Sequence, residues 1–413
     1  MLPKHERSLV RTLEQRLAEP RRFMQVIVGP RQTGKTTILR QLIEKLSCPT
    51  HFVRASQDIA HSKDWLRREW EEARRLARQD SYTASNAAAH AGTSTSRPPK
   101  DTVLIVDEIQ MVSQWSSTVK ALWDEDTDQG LHLQVVLTGS SSLLLTKGLQ
   151  EALTGRFELH FCEQWDYSEC KAVFGYSLDE YLYFGGYPGA APLITDNQRW
   201  LNYMHNSIIA PSLTKDVIAL ENIHKPAVMQ ALFTLGAAYS GQEISYRKLL
   251  GQLDDAGNAT TVANYLFLLS TAGLLSGLQK YSEKLLKTRS SSPRLIVHDT
   301  SLMVASYGQY RDFLLTDHDR RGHLTESAVG AYLVKRGKIE GFEVFWWREG
   351  TAEVDFILQN GRDLTAIEVK SGRIKNTQGL DVFASKYACT HSLVVGSGNA
   401  PLEAFLQGEV ALF

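Results

Sequence analysis

The glycine loop Gly29-Pro30-Arg31-Gln32-Thr33-Gly34-Lys35-Thr36 has the spacing GxxxxGK[ST] and follows an apolar run of strand length, Phe23 to Val28. A helix-forming stretch comes after it, and this strand, loop, helix context is what a phosphate-binding loop requires. Backbone N–H groups of the loop and of the helix N-terminus point at phosphate oxygens, and the missing side chains of Gly29 and Gly34 permit close approach. Lys35 is expected to bridge the β- and γ-phosphates of ATP, and the Thr36 hydroxyl to ligate Mg²⁺. With Thr37, these residues make up the expected nucleotide-binding set.

A second constellation strengthens the first. The apolar strand Val103-Leu104-Ile105-Val106 ends in Asp107-Glu108. In such a pair the first carboxylate holds Mg²⁺ through water and the second orients the attacking water. The strand around Val135-Val136-Leu137 is followed by Thr138-Gly139-Ser140, which offers the Thr138 and Ser140 hydroxyls to the γ-phosphate or to that water. Arg156, just ahead of the strand-like Phe157 to Phe161, has two readings. It reaches the γ-phosphate of a neighbouring subunit, or it is an intramolecular or surface arginine.

A third constellation lies near the C-terminus. Phe342 to Trp347, Glu353 to Leu358 and Thr365 to Lys370 read as three adjacent strands, with Asn360-Gly361 at the second turn. Period-two geometry puts Glu368 and Lys370 on one face of their strand, with Asp355 beside them. This is the D…ExK pattern of a nuclease: two carboxylates hold Mg²⁺, and the lysine positions water against a phosphodiester. Glu326, on the preceding helix, is the candidate to complete the metal set. Either the chemistry is intact, or a nuclease fold is retained that no longer cuts.

The elements that must carry these residues alternate strand with helix, which predicts an α/β fold with a parallel sheet covered on both faces. The Ala/Ser/Thr-rich stretch Tyr82 to Lys100 lacks periodicity and reads as a mobile insertion near 80–100. Domain boundaries are expected near 170 and 310, giving segments 1–170, 171–310 and 311–413. In the middle segment, Ser245 to Leu250, a turn at Asp255 to Asn258 and Thr260 to Leu269 read as helix, turn, helix, with Thr260 or Thr261 as N-cap. A winged helix follows from this. Its wing, Gln279 to Arg294, carries Lys280, Lys284, Lys287, Arg289 and Arg294 against the one acid Glu283, so it either meets phosphate or packs between subunits with a solvated face. The last segment predicts one helix, three strands, a helix and a strand.

Composition narrows the function classes. A net charge of −1 over 413 residues excludes the strongly basic proteins that attract nucleic acid as a whole, so a DNA contact needs a local patch. No run of about 18 uncharged apolar residues occurs and the N-terminus is too charged for a secretory signal, which predicts a soluble cytoplasmic protein with no membrane contact. Cys48, Cys162, Cys170 and Cys389 lack zinc spacing and are expected to be reduced packing residues.

Taken in order, GPRQTGKTT (29–37), VLIVDEIQ (103–110), LTGSSS (137–142), LTGRF (153–157), YFGGYP (183–188), HDTSL (298–302) and EVDF with IEVK (353–356, 367–370) resemble a prokaryotic family of AAA ATPases with a C-terminal restriction-endonuclease-like domain. The resemblance covers nearly the whole chain. It implies a P-loop AAA-type ATPase core, a helical and winged-helix middle region and an αβββαβ nuclease-like end. Two readings of function follow. One is an ATP-hydrolysing homo-oligomer acting on DNA through a metal-dependent nuclease or DNA-binding module. The other is a regulatory nucleotide switch that binds a protein partner and does not cut.

Overall fold

A computed structural model of the chain describes residues 5–56, 63–91, 101–139, 148–218, 223, 225–253, 257–283, 292–308, 311–372 and 378–413. They fall into two units, Met1–Cys162 and Glu163–Phe413.

In the first unit the apolar runs form β1 (Met24–Val28), β2 (Thr50–Arg54), β3 (Thr102–Asp107), β4 (Leu133–Gly139) and β5 (Phe157–Phe161), joined in the order β2-β3-β4-β1-β5. Every pairing is parallel. Strands β1, β3 and β4 are buried along their whole length, as a sheet covered on both faces demands. Alternate residues serve opposite faces. Met24, Val26, Leu104, Val106, Val135 and Leu137 pack against α3 (Lys63–Ala91) and α4 (Trp115–Asp128), while Ile27, Val103, Ile105 and Val136 pack against α1 (Ser8–Ala18) and α2 (Lys35–Lys45). Helix α1 presents Val10, Leu13 and Leu17 inward at helical spacing.

One expectation is corrected here. Residues 82–91, read as part of a mobile insertion, continue α3 as regular helix, and 92–100 lie outside the described residues. The segment is rich in alanine, the best helix former, so missing apolar periodicity was no argument against a helix.

The second unit begins with two short helices, Tyr167–Phe174 and Leu178–Phe184, each closed by a reciprocal capping box, Asp166 with Glu169 and Ser177 with Glu180. Helices Pro226–Ala238, Tyr246–Gln252 and Ala259–Thr271 lead into an antiparallel pair, β6 (Leu275–Leu278) and β7 (Arg294–Val297). The cap of Ala259–Thr271 is Asn258, whose side-chain oxygen accepts from Thr261 N, rather than Thr260 or Thr261. A residue inside the first turn cannot cap it; the acceptor has to come from the extended residue before. Of the expected wing, 284–291 lie outside the described residues.

The chain then forms the helix His318–Glu340, strands β8 (Glu343–Glu349), β9 (Ala352–Asn360) and β10 (Asp363–Lys370), the helix Gln378–Lys386 and β11 (His391–Gly396). The sheet order is β11-β10-β9-β8, antiparallel except for the parallel β10 and β11. Gly361 makes the β9 to β10 turn at φ +60°, where a side chain would be strained.

The signature segments YFGGYP and HDTSL meet. The Asp299 carboxylate accepts from Gly186 N at 2.8 Å and from Ser301 N at 3.0 Å, capping the helix Thr300–Tyr307. A Cβ on Gly185, which has φ +67°, would lie 1.9 Å from Asp299 Oδ1, and one on Gly186 would lie 1.9 Å from the Trp165 carbonyl. Glycine at both positions lets these segments come this close.

Candidate functional site

The loop after β1 turns into α2 at Gly34, which has φ +101° and stands at the helix N-cap. A Cβ on Gly29 would sit 2.1 Å from the Cys162 carbonyl oxygen, so the loop is pressed against the end of β5. Lys35 is buried, and its ammonium donates to the carbonyls of Gly29 (2.9 Å) and Pro30 (2.6 Å), inside the curve of the loop. Thr33 Oγ1 donates to the Pro30 carbonyl at 3.0 Å, and Arg7 donates to the Thr33 carbonyl at 3.2 Å. Sequence reasoning missed Arg7, because a brace from 26 residues upstream belongs to no motif.

Asp107 is the centre of the site. It is 0% exposed at the C-terminal end of β3, and its carboxylate accepts from Thr36 Oγ1 at 3.0 Å and Thr138 Oγ1 at 2.5 Å. Three motifs separated by 71 and 31 residues therefore converge on one carboxylate. Convergence follows from topology, since β1, β3 and β4 run parallel and all end on one edge, where α/β sheets bind ligands. Thr36 and Asp107 offer hard oxygens of the kind that suits Mg²⁺. Arg54, at the end of β2, lies 3.4 Å from Asp107 Oδ2 and was also missed. Its strand pairs Arg54 directly with Asp107, a neighbour that becomes visible only in the register.

Glu108 and Gln32 are two of the three non-glycine residues with positive φ among the described residues, each at 60°. Left-handed backbone costs such residues roughly 1–2 kcal/mol, and both lie in the nucleotide motifs. The turn at Glu108 breaks the strand, and its carboxylate accepts from Gln110 Nε2 at 2.5 Å. Ser140 lies outside the described residues.

Arg156 makes a two-point ion pair with Asp124, at 2.8 and 3.1 Å. Met24 N donates to the Arg156 carbonyl, so Arg156 stands where β1 begins, at the sheet edge opposite the phosphate loop. It cannot reach the phosphates bound by its own loop.

In the C-terminal sheet Asp355, Glu368 and Lys370 do come together. Asp355 Oδ2 accepts from Val369 N at 2.8 Å, and Lys370 is ion-paired to Glu368. The expected metal set is nevertheless engaged otherwise. Arg294, at the start of β7 and 4% exposed, donates from Nη1 to Glu326 Oε1 (2.8 Å) and Asp355 Oδ1 (3.0 Å), and from Nη2 to Glu353. Arg348 holds Glu353 from the other side and Glu243 at 2.7 Å. Glu326 and Asp355 thus hold a guanidinium where a divalent ion was expected, and no group of three or more His, Cys, Asp or Glu among the described residues is arranged to hold a metal. The carboxylates as folded do not fit a divalent ion beside Arg294.

These groups line a cleft of about 410 Å³, in which five carboxylates face Arg294, Arg348 and Lys370 and leave two negative charges over. Protons answer part of that surplus. Burial and then the Asp355 charge push Glu326 up to about 8, against the pull of Arg294. Burial and Asp355 push Glu368 up to about 7. Burial alone would depress Arg294, but Glu326, Asp355 and Glu353 outweigh it and hold the guanidinium charged.

Comparison with known proteins finds matches in three segments of the chain. Residues 21–171 match a family model described as an AAA domain, 175–311 a domain of unknown function (DUF8612) and 321–411 another (DUF4143). The chain is 26% identical to an uncharacterized protein of Methanocaldococcus jannaschii, over 81% of this chain and 72% of the relative. It is 25% identical to an uncharacterized protein of Mycobacterium tuberculosis, over 84% and 69%. Among solved structures, a Walker-type ATPase of Pyrococcus abyssi is similar at TM-score 0.49 and 14% identity, over 74% of this chain and 99% of that one. Residues 21–171 thus form an AAA-type P-loop ATPase domain on an α/β core.

Proposed function

We propose that the chain binds MgATP in the loop Gly29 to Thr36 and hydrolyses it, with Glu108 orienting the attacking water and Lys35 stabilising charge at the β- and γ-phosphates. The observation that carries this is the fully buried Asp107 carboxylate held between the Thr36 and Thr138 hydroxyls. Mg²⁺ would be held by Thr36 and, through water, Asp107, and would neutralise phosphate charge there. The hydrogen bond from Thr138 and the ion pair with Arg54 hold the Asp107 carboxylate so that it need not reorganise when nucleotide enters. Isothermal titration of Lys35→Ala with ATP tests the reading. Loss of binding is expected, and wild-type affinity in the variant would overturn it.

For the second unit, the helix, three strands, helix and strand supports a restriction-endonuclease-like fold, and the three helices with β6 and β7 support a winged helix. A specific observation favours a module that does not cut: the carboxylates of the expected metal site are joined to Arg294. We therefore read ATP turnover as a switch for what this unit binds. ATPase rates with and without duplex DNA, each with Mg²⁺ and Mn²⁺, separate the partner classes. Stimulation without cleavage supports DNA as the partner, no stimulation supports a protein partner, and metal-dependent cleavage lost in Asp355→Ala would restore the nuclease reading.

A further inference from the structure

The second unit holds a buried cation that belongs to no sequence motif. Arg294 opens β7 and is fixed there by backbone bonds on both sides. Ile244 N donates to the Pro293 carbonyl (3.0 Å), Leu295 N to the Gln242 carbonyl (3.1 Å) and Gly241 N to the Leu295 carbonyl (2.8 Å). The next strand, β8, is tied to the segment that follows β6, since Trp346 N donates to the Gln279 carbonyl and Tyr281 N to the Trp346 carbonyl. A side chain carried on such a stem is not a mobile lid. Its guanidinium ends among oxygens of Glu326, Glu353 and Asp355, which come from one helix and from β9. Glu368 Oε2, on a residue only 8% exposed, faces the same cleft with no hydrogen-bond partner. Carboxylates converging from two elements, with one oxygen left over, are the donor set of a cation site. Here the cation is supplied by the chain.

We propose that the Arg294 guanidinium is the resident cation of this cleft, so that the wild-type protein takes no divalent ion there, and that removing the guanidinium creates a divalent-cation site from Glu326, Glu353 and Asp355. The physics is exclusion by like charge. A divalent ion and a guanidinium cannot share three carboxylates at hydrogen-bond distance without strong repulsion in a buried setting. A guanidinium also spreads its charge over a planar fork that satisfies several oxygens at once, which a hydrated metal does only by shedding water. Methionine at 294 keeps much of the length of the stem and removes the charge, leaving carboxylates that need a counter-ion.

The experiment is Mn²⁺ binding by the full-length, nucleotide-free chain, followed by electron paramagnetic resonance. All proteins carry Asp107→Asn, which removes the carboxylate expected to serve Mg²⁺ in the ATP site. With Arg294 intact, no Mn²⁺ should be bound up to about 1 mM, the weak end of protein carboxylate sites. Arg294→Met should bind one Mn²⁺ more tightly than that, and adding Glu326→Gln should weaken the new site by at least about tenfold. Arg294→Lys, which keeps a charge, should bind none. Melting curves identify variants that fold, and Mn²⁺ should raise the midpoint of Arg294→Met alone. Binding of one Mn²⁺ by the chain with Arg294 intact, lost in Asp355→Asn, would overturn the proposal even if Arg294→Met fails to fold. So would a folded Arg294→Met that binds no Mn²⁺.

Discussion

Thr138 and Glu326 show how one side chain's partner decides its chemistry. Replacing Thr138 by valine keeps its shape but leaves Asp107 Oδ1, fully buried, without its donor. The loss should be about 1–3 kcal/mol of stability, the usual cost of orphaning a buried acceptor, and urea unfolding would measure it; an unchanged midpoint would mean that the bond contributes nothing. Glu326 has its folded pKa raised from 4.5 to about 8, so the folded chain binds a proton that the unfolded chain releases between those values. Stability from this group is full below about pH 4.5 and falls as pH rises through 8, by up to about 1.4 kcal/mol per pH unit for one proton. Thermal midpoints from pH 5 to 9 should fall less steeply in Glu326→Gln than in wild type, and parallel curves would contradict the assignment. The residues of the phosphate loop were legible in the sequence because their job is local, fixed by eight consecutive positions. Arg294 was legible only as one more basic residue of a wing, since its partners lie 32, 59 and 61 residues away.

At the level of elements, strand positions were readable wherever an apolar run was bounded by a turn. Phe157 to Phe161 is β5 as expected, and β3 and β4 run one residue further at both ends than the expected 103–106 and 134–138. Residues 82–91 were misread because apolar periodicity reports burial of one face, whereas alanine favours helix without it. YFGGYP was visible as a signature but not as a device, for its partner Asp299 is 113 residues on. That contact yields a sharp expectation. Gly186→Ala would drive a methyl group into the Trp165 carbonyl and Gly185→Ala one into Asp299, so each should cost roughly 2–4 kcal/mol through overpacking, to which the positive φ of Gly185 adds strained backbone. Gly175→Ala, at φ +71° with open space around it, should cost only about 1 kcal/mol. Equal losses in chemical denaturation for all three would remove the packing explanation.

For the molecule as a whole, the order of motifs announced an ATPase followed by a sheet bearing carboxylates, while the net charge of −1 gave no hint of what that sheet meets. No helix among the described residues is long and apolar enough to cross a membrane. Arg156 belongs to this scale, since it stands at the sheet edge away from its own phosphate loop and can act in hydrolysis only through a second copy. Its partly exposed pair with Asp124 should contribute less than about 1 kcal/mol, so Arg156→Ala should remain folded. If assembly supplies an arginine in trans, turnover in that variant drops by about 10³-fold with ATP affinity kept, and unchanged turnover would leave Arg156 a surface brace. Hydrolysis itself is the central claim, and Glu108→Gln tests it most directly by separating binding from chemistry. Titration calorimetry and steady-state phosphate release on the same preparation should give an ATP affinity near that of wild type and a turnover at least about 100-fold lower, the scale of a lost general base. Wild-type turnover in Glu108→Gln would contradict the account.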